Sequence, residues 1–166
     1  MSWSSPAEVC RWILDEVHDA LIACGRPECK TRYVGAGEVP WDDCCGLLVV
    51  SPESVFRYKT FPNVSGEVED CINGLIGLDV LVTVVRCAPT LSDQGISPSP
   101  QALDNAYTGL SEDGAVVWSR LSGPIPEDWE RAGLAQTFVG ATGGCIAVET
   151  RLQIGLEQTK WVCCDD

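Results

Sequence analysis

The chain has 166 residues, of which 45% are hydrophobic and 21% charged, and its composition excludes a disordered protein. The 24 acidic and 11 basic residues give a net charge of -13, which excludes a protein that grips nucleic acid through clustered lysine and arginine. We predict a single domain over residues 1–166, with residues 1–5 and 158–166 as flexible or interface-forming tails.

The first predicted element is a helix from about Pro6 to Ala23. Ser5 is a suitable N-cap, a proline occupies the first turn, and Glu8 completes a capping box with Ser5. Apolar residues then recur at three- and four-residue steps, and Gly25 and Pro27 end the pattern. This apolar stripe consists of Val9, Trp12, Ile13, Val17, Ala20, Leu21 and Cys24.

The middle of the chain, Cys29 to Gly77, is irregular and rich in glycine and proline. Short apolar runs at Cys45–Val50 and Val55–Tyr58 predict two strands. The next segment, Leu78–Cys87, is rich in valine and predicts a buried strand that ends at Pro89.

A second helix is predicted from about Pro100 to Leu121, closed by Gly123 and the proline after it. Gly109 and Gly114 lie inside this helix and weaken it by about 1 kcal/mol each relative to alanine. The apolar face consists of Leu103, Ala106, Tyr107, Leu110, Val117, Trp118 and Leu121.

Two strands are predicted in the last third, Ala132–Val139 and Cys145–Leu156, joined by the glycine-rich turn 140–144. The second strand alternates without a break, which predicts one buried face. The residues on this face are Ile146, Val148, Thr150, Leu152, Ile154 and Leu156. The order of elements predicts the α+β class, with an antiparallel or mixed sheet and two main helices packed on one face.

The ten cysteines admit three interpretations, namely a metal site, disulfides and buried thiols. The only candidate zinc ligands are Cys24, Cys29, Cys44 and Cys45, and their spacing differs from that of common zinc ribbons. We therefore predict no metal site and no cofactor, and keep zinc as an alternative.

Disulfides are predicted in the loop-rich middle, where they would stabilise the fold most. The candidates there are Cys29, Cys44, Cys45 and Cys71, without an assigned pairing. For Cys10, Cys87 and Cys145 we favour burial in the core. No basic and apolar signal segment begins the sequence, so we expect folding in a reducing cytosol, without membrane association, and oxidation only later.

Catalysis has little support in the sequence. The single histidine, His18, lies in the middle of the first predicted helix, and neither a Gly-x-Ser-x-Gly elbow nor a Walker-type phosphate loop is present. We predict that the protein is not an enzyme.

The six tryptophans fall into two groups. Trp12 and Trp118 are predicted on the buried faces of the two helices. The other four lie in termini or loops, where tryptophan often anchors an interface. These predicted interface residues are Trp3, Trp41, Trp129 and Trp161.

Three segments resemble a cysteine-rich family encoded in the structural-gene clusters of actinobacterial tailed phages and prophages. They are Trp41–Gly46 before a strand, Val84–Gly95 before the second helix, and Gly143–Glu149 before the alternating strand. The resemblance covers about Pro6 to Leu156, and its most specific part is the Arg-Cys-Ala-Pro-Thr sequence of Arg86–Thr90.

The resemblance implies a virion protein of the phage neck, made in the bacterial host cytoplasm. The element order is similar to that of siphophage tail terminators, which form a hexameric ring that caps the tail tube and joins it to the head-side connector. DNA would pass through the bore without specific binding, and no catalytic residues carry over. The alternatives are another head-to-tail connector ring, a stopper or an adaptor, and, from a different class, a zinc-binding protein-interaction module.

Overall fold

The structure, a computed structural model, describes residues 5–40, 45–64 and 75–156. These residues form two helices and six strands. In chain order the elements are α1 (Pro6–Ala23), β1 (Thr31–Val34), β2 (Leu47–Thr60), β3 (Asn63–Val64), β4 (Ile76–Cys87), α2 (Pro100–Ser122), β5 (Trp129–Thr142) and β6 (Cys145–Leu156).

The strands form one sheet in the order β1-β2-β4-β6-β5, with the short β3 paired with β2. β1 runs parallel to β2, and the other pairs are antiparallel. The mixed sheet with two helices confirms the predicted α+β class. The end of β4 pairs with the start of β6, Cys87 with Cys145, and this end of the sheet is called the Cys87 end below.

α1 has the predicted bounds, and its predicted N-cap forms the expected hydrogen bond. The Ser5 hydroxyl accepts a hydrogen bond from the backbone N–H of Glu8 at 3.3 Å, which satisfies one of the unpaired donors of the first turn. The helix ends at Ala23, and the backbone N–H of the C-cap residue Cys24 donates to the carbonyl of Ala20.

Both helices pack on one face of the sheet and form the main core there. Every second residue of β4 from Leu78 to Val84 faces this core, together with the alternating residues of β6. The predicted alternation of β6 is therefore confirmed from Val148 to Leu156, and Ile146 packs half-buried at the margin.

The opposite face carries a second, smaller apolar cluster near the Cys87 end. Its buried members are Leu47, Val49, Val85, Cys145 and Ala147. Partly buried residues of β1 and of the segment after it pack against this cluster, including Tyr33 and Val39. This cover explains why residues on both faces of β2 and β4 are buried near this end.

β2 is one long strand where the sequence predicted two short ones. Its register with β4 shifts between Pro52 and Ser54, just beyond the four residues of β2 that pair with β1. A proline is accommodated at such a bulge because its missing N–H is not needed for the ladder.

Candidate functional site: an exposed apolar surface at the Cys87 end

The Cys87 end of the sheet is held by a buried carboxylate. Asp113 of α2 is fully buried, and Arg86 of β4 donates to it through Nε at 2.7 Å and Nη2 at 3.3 Å. Arg26, in the segment after α1, donates to the same carboxylate through Nε at 2.8 Å. Asp113 therefore connects α2 with the sheet and with the segment that follows α1.

Arg26 makes two further contacts along α2. Its Nη2 donates to the carbonyl oxygen of Gly109 at 2.8 Å, and its Nη1 pairs with Glu112. The hydrogen bond with Asp113, more than any other interaction, raises the pKa of Arg26 above its ordinary value. Arg26, Arg86 and Asp113 are called the clamp below. Removing one member of a buried ion pair leaves an uncompensated charge, so loss of a clamp residue should destabilise the packing of α2 at this point.

Cys29 lies beside the clamp with its thiol buried. Burial is the main cause that raises the pKa of this thiol, and the nearby charge of Arg86 opposes the rise. A thiol with a raised pKa is mostly protonated at neutral pH and is a weak nucleophile.

Four residues of the Arg86–Thr90 sequence help to fix the loop that follows it. Arg86 belongs to the clamp, and Cys87 forms a disulfide with Cys45, which lies two residues before β2, with the two Cα atoms 4.8 Å apart. The backbone N–H of Ala88 donates to the carbonyl of Gly144 at 2.7 Å. These contacts anchor the start of the loop to the turn between β5 and β6.

Thr90 packs closely on the same turn. A Cβ atom on Gly144 would lie 3.0 Å from Thr90 Cγ2, and Gly144 has φ of +81°, so glycine fits this position on both counts. Gly143 also has a positive φ, as expected for a two-residue hairpin turn between Thr142 and Cys145.

The rest of the loop is closed on itself by Ser92. The backbone N–H of Ser92 donates to the carbonyl of Ile96 at 3.0 Å, and the Ile96 N–H donates to the Ser92 hydroxyl at 3.1 Å. Gly95 adds a bond to the Ser92 carbonyl at 2.8 Å. The loop is therefore a defined turn that leads into α2, which Ser99 caps through a 3.2 Å bond to the Ala102 N–H.

Apolar side chains are exposed on this loop and on the part of α2 that follows. In the described residues, the segment Pro100–Gly109 contains no buried side chain, so this half of α2 extends past the packed core. Tyr107 contacts Phe138 of β5 with ring centroids 5.6 Å apart, and both remain at least 40% exposed. The exposed apolar residues, called the terminal surface below, are Leu91, Ile96, Leu103, Tyr107 and Phe138.

The structure does not bring the predicted zinc ligands together. Cys24 is exposed, Cys29 is buried beside the clamp, and Cys45 is bonded to Cys87. Cys44 lies outside the described residues. Within residues 5–40, 45–64 and 75–156, no group of three or more histidine, cysteine or acidic side chains is placed to hold a metal ion.

The predicted disulfide candidates have different outcomes. Cys45 forms a disulfide, whereas Cys29 carries a free thiol, and Cys44 and Cys71 lie outside the described residues. The predicted core burial of Cys87 was wrong, since Cys87 ends its strand, is exposed and is disulfide-bonded. Cys145 is buried in the smaller apolar cluster, as predicted, and is also disulfide-bonded. Cys10 is a fully buried free thiol, as predicted.

Two tryptophans differ from their predicted positions. Trp129 was predicted at a loop interface, but it begins β5, is only 6% exposed and packs edge-on against Trp12 with ring centroids 4.9 Å apart. Trp118 was predicted on the buried face of α2, but it is 41% exposed because Val117 occupies the inward position. The other predicted interface residues, Trp3, Trp41 and Trp161, lie outside the described residues.

A shallow apolar groove of about 580 Å³ runs between the two helices. Arg120 at its margin is already engaged, since its Nε donates to Glu16 at 2.8 Å and its guanidinium lies 5.2 Å from the ring centroid of Trp12. The groove is lined by Ala20, Cys24, Ala115, Val116, Ser119, Arg120, Gly123 and Pro124. No helix in the described residues contains an apolar stretch long enough to cross a lipid bilayer.

The clamp was not predicted from the sequence, although the position of Asp113 contains a signal for it. Asp113 lies three residues after Leu110 and four before Val117, and so falls on the buried face of α2. A carboxylate on such a face needs a cationic partner. The sequence does not identify which of its arginines supplies that partner.

Comparison with known proteins found no protein-family model that matches the chain and no curated protein sequence similar to it. The resemblance to phage neck proteins therefore depends on the sequence segments described above alone.

Proposed function

We propose that this protein is a structural subunit of a tailed-phage neck, most closely a tail terminator. It would assemble into a ring that caps the tail tube and joins it to the head-side connector. The observation that carries the proposal is the terminal surface, a group of exposed apolar side chains on a firmly held end of the molecule. The protein would act through assembly in the virion, without a cofactor.

Apolar side chains that are exposed to this extent favour a surface that binds a partner. Leu91 and Ile96 are 61% and 62% exposed, and Leu103 and Tyr107 are 50% and 55% exposed. Apolar surface gains about 25 cal/mol for each Å² removed from water, so a partner that covers these side chains gains binding energy. The terminal surface contains five of the nine large apolar side chains that are exposed in the described residues.

The clamp and the loop contacts make this surface ready to bind. Asp113 holds α2 just after its exposed N-terminal half ends, and the Ser92 turn fixes the backbone between Leu91 and Ile96. A surface that is ordered before binding loses little conformational entropy when the partner docks. A ring that must seat on the end of a tube benefits from this rigidity.

The resemblance supports the same location. Its most specific segment, Arg86–Thr90, supplies the clamp arginine, the disulfide and the loop anchor that lie beneath the terminal surface. The net negative charge also suits a ring through which DNA passes, because an acidic wall repels the DNA backbone and prevents it from sticking.

The test is binding to tail tubes of the same phage that lack their terminator. Wild-type protein should sediment with the tubes, and Leu103→Lys should abolish this because a charge replaces an exposed apolar contact. Val55→Lys is the matched control, since Val55 is also 50% exposed and lies far from the terminal surface, opposite Leu78 in the sheet. It should bind tubes as the wild type does.

Equal binding by both variants would contradict the role given to the terminal surface. Wild-type protein that ignores tail tubes and binds the head-side connector alone would instead favour the alternative of another connector ring.

A further inference from the structure

β5 forms one edge of the sheet in the described part of the chain. One side of β5 pairs with β6, and no strand among residues 5–40, 45–64 and 75–156 pairs with its other side. A strand of 14 residues at an edge presents a row of backbone N–H and C=O groups that another strand can pair with.

The central part of this edge carries no charge or proline that would oppose pairing. Residues 133–142 are Gly-Leu-Ala-Gln-Thr-Phe-Val-Gly-Ala-Thr, ten residues without a charge or a proline in a chain that is 21% charged. Natural edge strands are commonly protected by lysine, proline, short length or β-bulges, and in β5 the bulges lie only at the ends of Ala135–Val139. The register with β6 is irregular on both sides of Ala135–Val139, so this central stretch is the regular part of the edge.

The side chains along the stretch permit close approach. Ala135 and Thr137 are small and exposed, so they would not hold another backbone away. Phe138 projects toward the helices, where it is 40% exposed beside Tyr107. A strand added to β5 would therefore gain backbone hydrogen bonds and also cover part of an apolar aromatic pair.

We infer that the β5 edge receives a strand from a second copy of this chain, which extends the sheet from one subunit to the next. The charge distribution favours a second copy. Two chains that each carry a net charge of -13 repel one another, and an uncharged edge is where they approach at least electrostatic cost. The inference deepens the proposed function, because it names the lateral contact between the ring subunits.

The experiment uses amide hydrogen exchange and native mass measurement on the full chain, as monomer, at high concentration and on tail tubes. Upon assembly, exchange at residues 135–139 should slow by at least about tenfold, because outward N–H groups become hydrogen-bonded. Thr137→Lys should keep the chain monomeric, with the thermal unfolding of the wild type. Thr60→Lys, an equal change on the exposed end of β2, should assemble normally.

The possible results separate the inference from the proposed function. Rings on tube tips in which residues 135–139 exchange as fast as in the monomer would overturn the inference alone. Copies that join with protection at β5 but leave tube ends bare would support the inference and contradict the proposed function. A chain that remains monomeric both at high concentration and on tail tubes would overturn the inference.

Discussion

The two halves of α2 have the same apolar spacing but different surroundings. In the C-terminal half, Leu110, Val117 and Leu121 are buried against the sheet. In the N-terminal half, Leu103 and Tyr107 continue the same face but are at least 50% exposed, because the helix has passed the packed core. The clamp lies at the boundary between them. One half thus packs into the core, and the other leaves its apolar face exposed to solvent.

The largest effect is expected at the clamp. Asp113→Ala should lower the free energy of unfolding by about 3–5 kcal/mol, because two arginines lose a buried partner. Asp104→Ala, in the exposed half of the same helix, should change it by less than about 0.5 kcal/mol. Chemical denaturation of both variants measures the difference, and equal losses would contradict the assigned role of the clamp.

A leucine pair tests the two halves directly. Leu110→Ala should cost about 2–5 kcal/mol of stability, since it leaves a cavity in the core. Leu103→Ala should cost less than about 0.5 kcal/mol but weaken binding to tail tubes. If Leu103→Ala proved as destabilising as Leu110→Ala, this half of the helix would be part of the core.

Replacement of the two glycines of α2 by alanine should change the stability of the protein in opposite directions. A Cβ on Gly114 would lie 2.9 Å from Gln136 Oε1 and 3.2 Å from Val148 Cγ2, so Gly114→Ala should destabilise by about 1–3 kcal/mol. At Gly109 the nearest atom would be Arg26 Nη2 at 3.6 Å, an ordinary contact. Gly109→Ala should therefore stabilise by about 0.5–1 kcal/mol, the gain of alanine over glycine in a helix. Thermal unfolding of the two variants gives both signs.

The smallest expected effect is a pH dependence of the stability that is caused by the buried Cys10 thiol of α1. Burial raises the pKa of the Cys10 thiol from 9.0 to about 12. Below pH 9 the thiol is protonated in both folded and unfolded chains, and its contribution to stability is complete. As the pH rises from 9 toward 12, the unfolded chain releases this proton first, so stability falls.

The measurement is the free energy of unfolding at pH 9 and 10. Cys10→Ala should lose less stability over this interval than the wild type, by up to about 1 kcal/mol. Val9→Ala, a buried neighbour without a titratable group, should keep the wild-type dependence. Identical dependence in Cys10→Ala and the wild type would show that this thiol does not titrate differently on folding.

Sequence reasoning predicted those elements whose signals are local. α1 and β6 have the predicted bounds, because the cap at Ser5 and the period-two pattern of β6 are each contained in one segment. The exposed half of α2 could not be predicted in this way. Periodicity identifies the apolar face of a helix, but only the length and position of the sheet determine how much of that face is covered.

Contacts between distant segments were the least predictable part of the site. Arg26 and Arg86 meet Asp113 only because three elements converge at the Cys87 end, and the Cys45–Cys87 pair follows from the register of β2 with β4. Trp129 was predicted in a loop because the sequence pattern predicts this strand only from Ala132, whereas β5 begins at Trp129. Such facts depend on tertiary packing, which a pattern along the chain does not contain.

The most direct test of the proposed function is electron microscopy of wild-type protein mixed with tail tubes of the proposed phage that lack a terminator. The account predicts a ring at one tip of each tube, and predicts bare tips when Leu103→Lys replaces the wild type. A wild-type protein that stays monomeric and leaves the tips bare, under conditions in which the same tubes bind their other neck proteins, would contradict it.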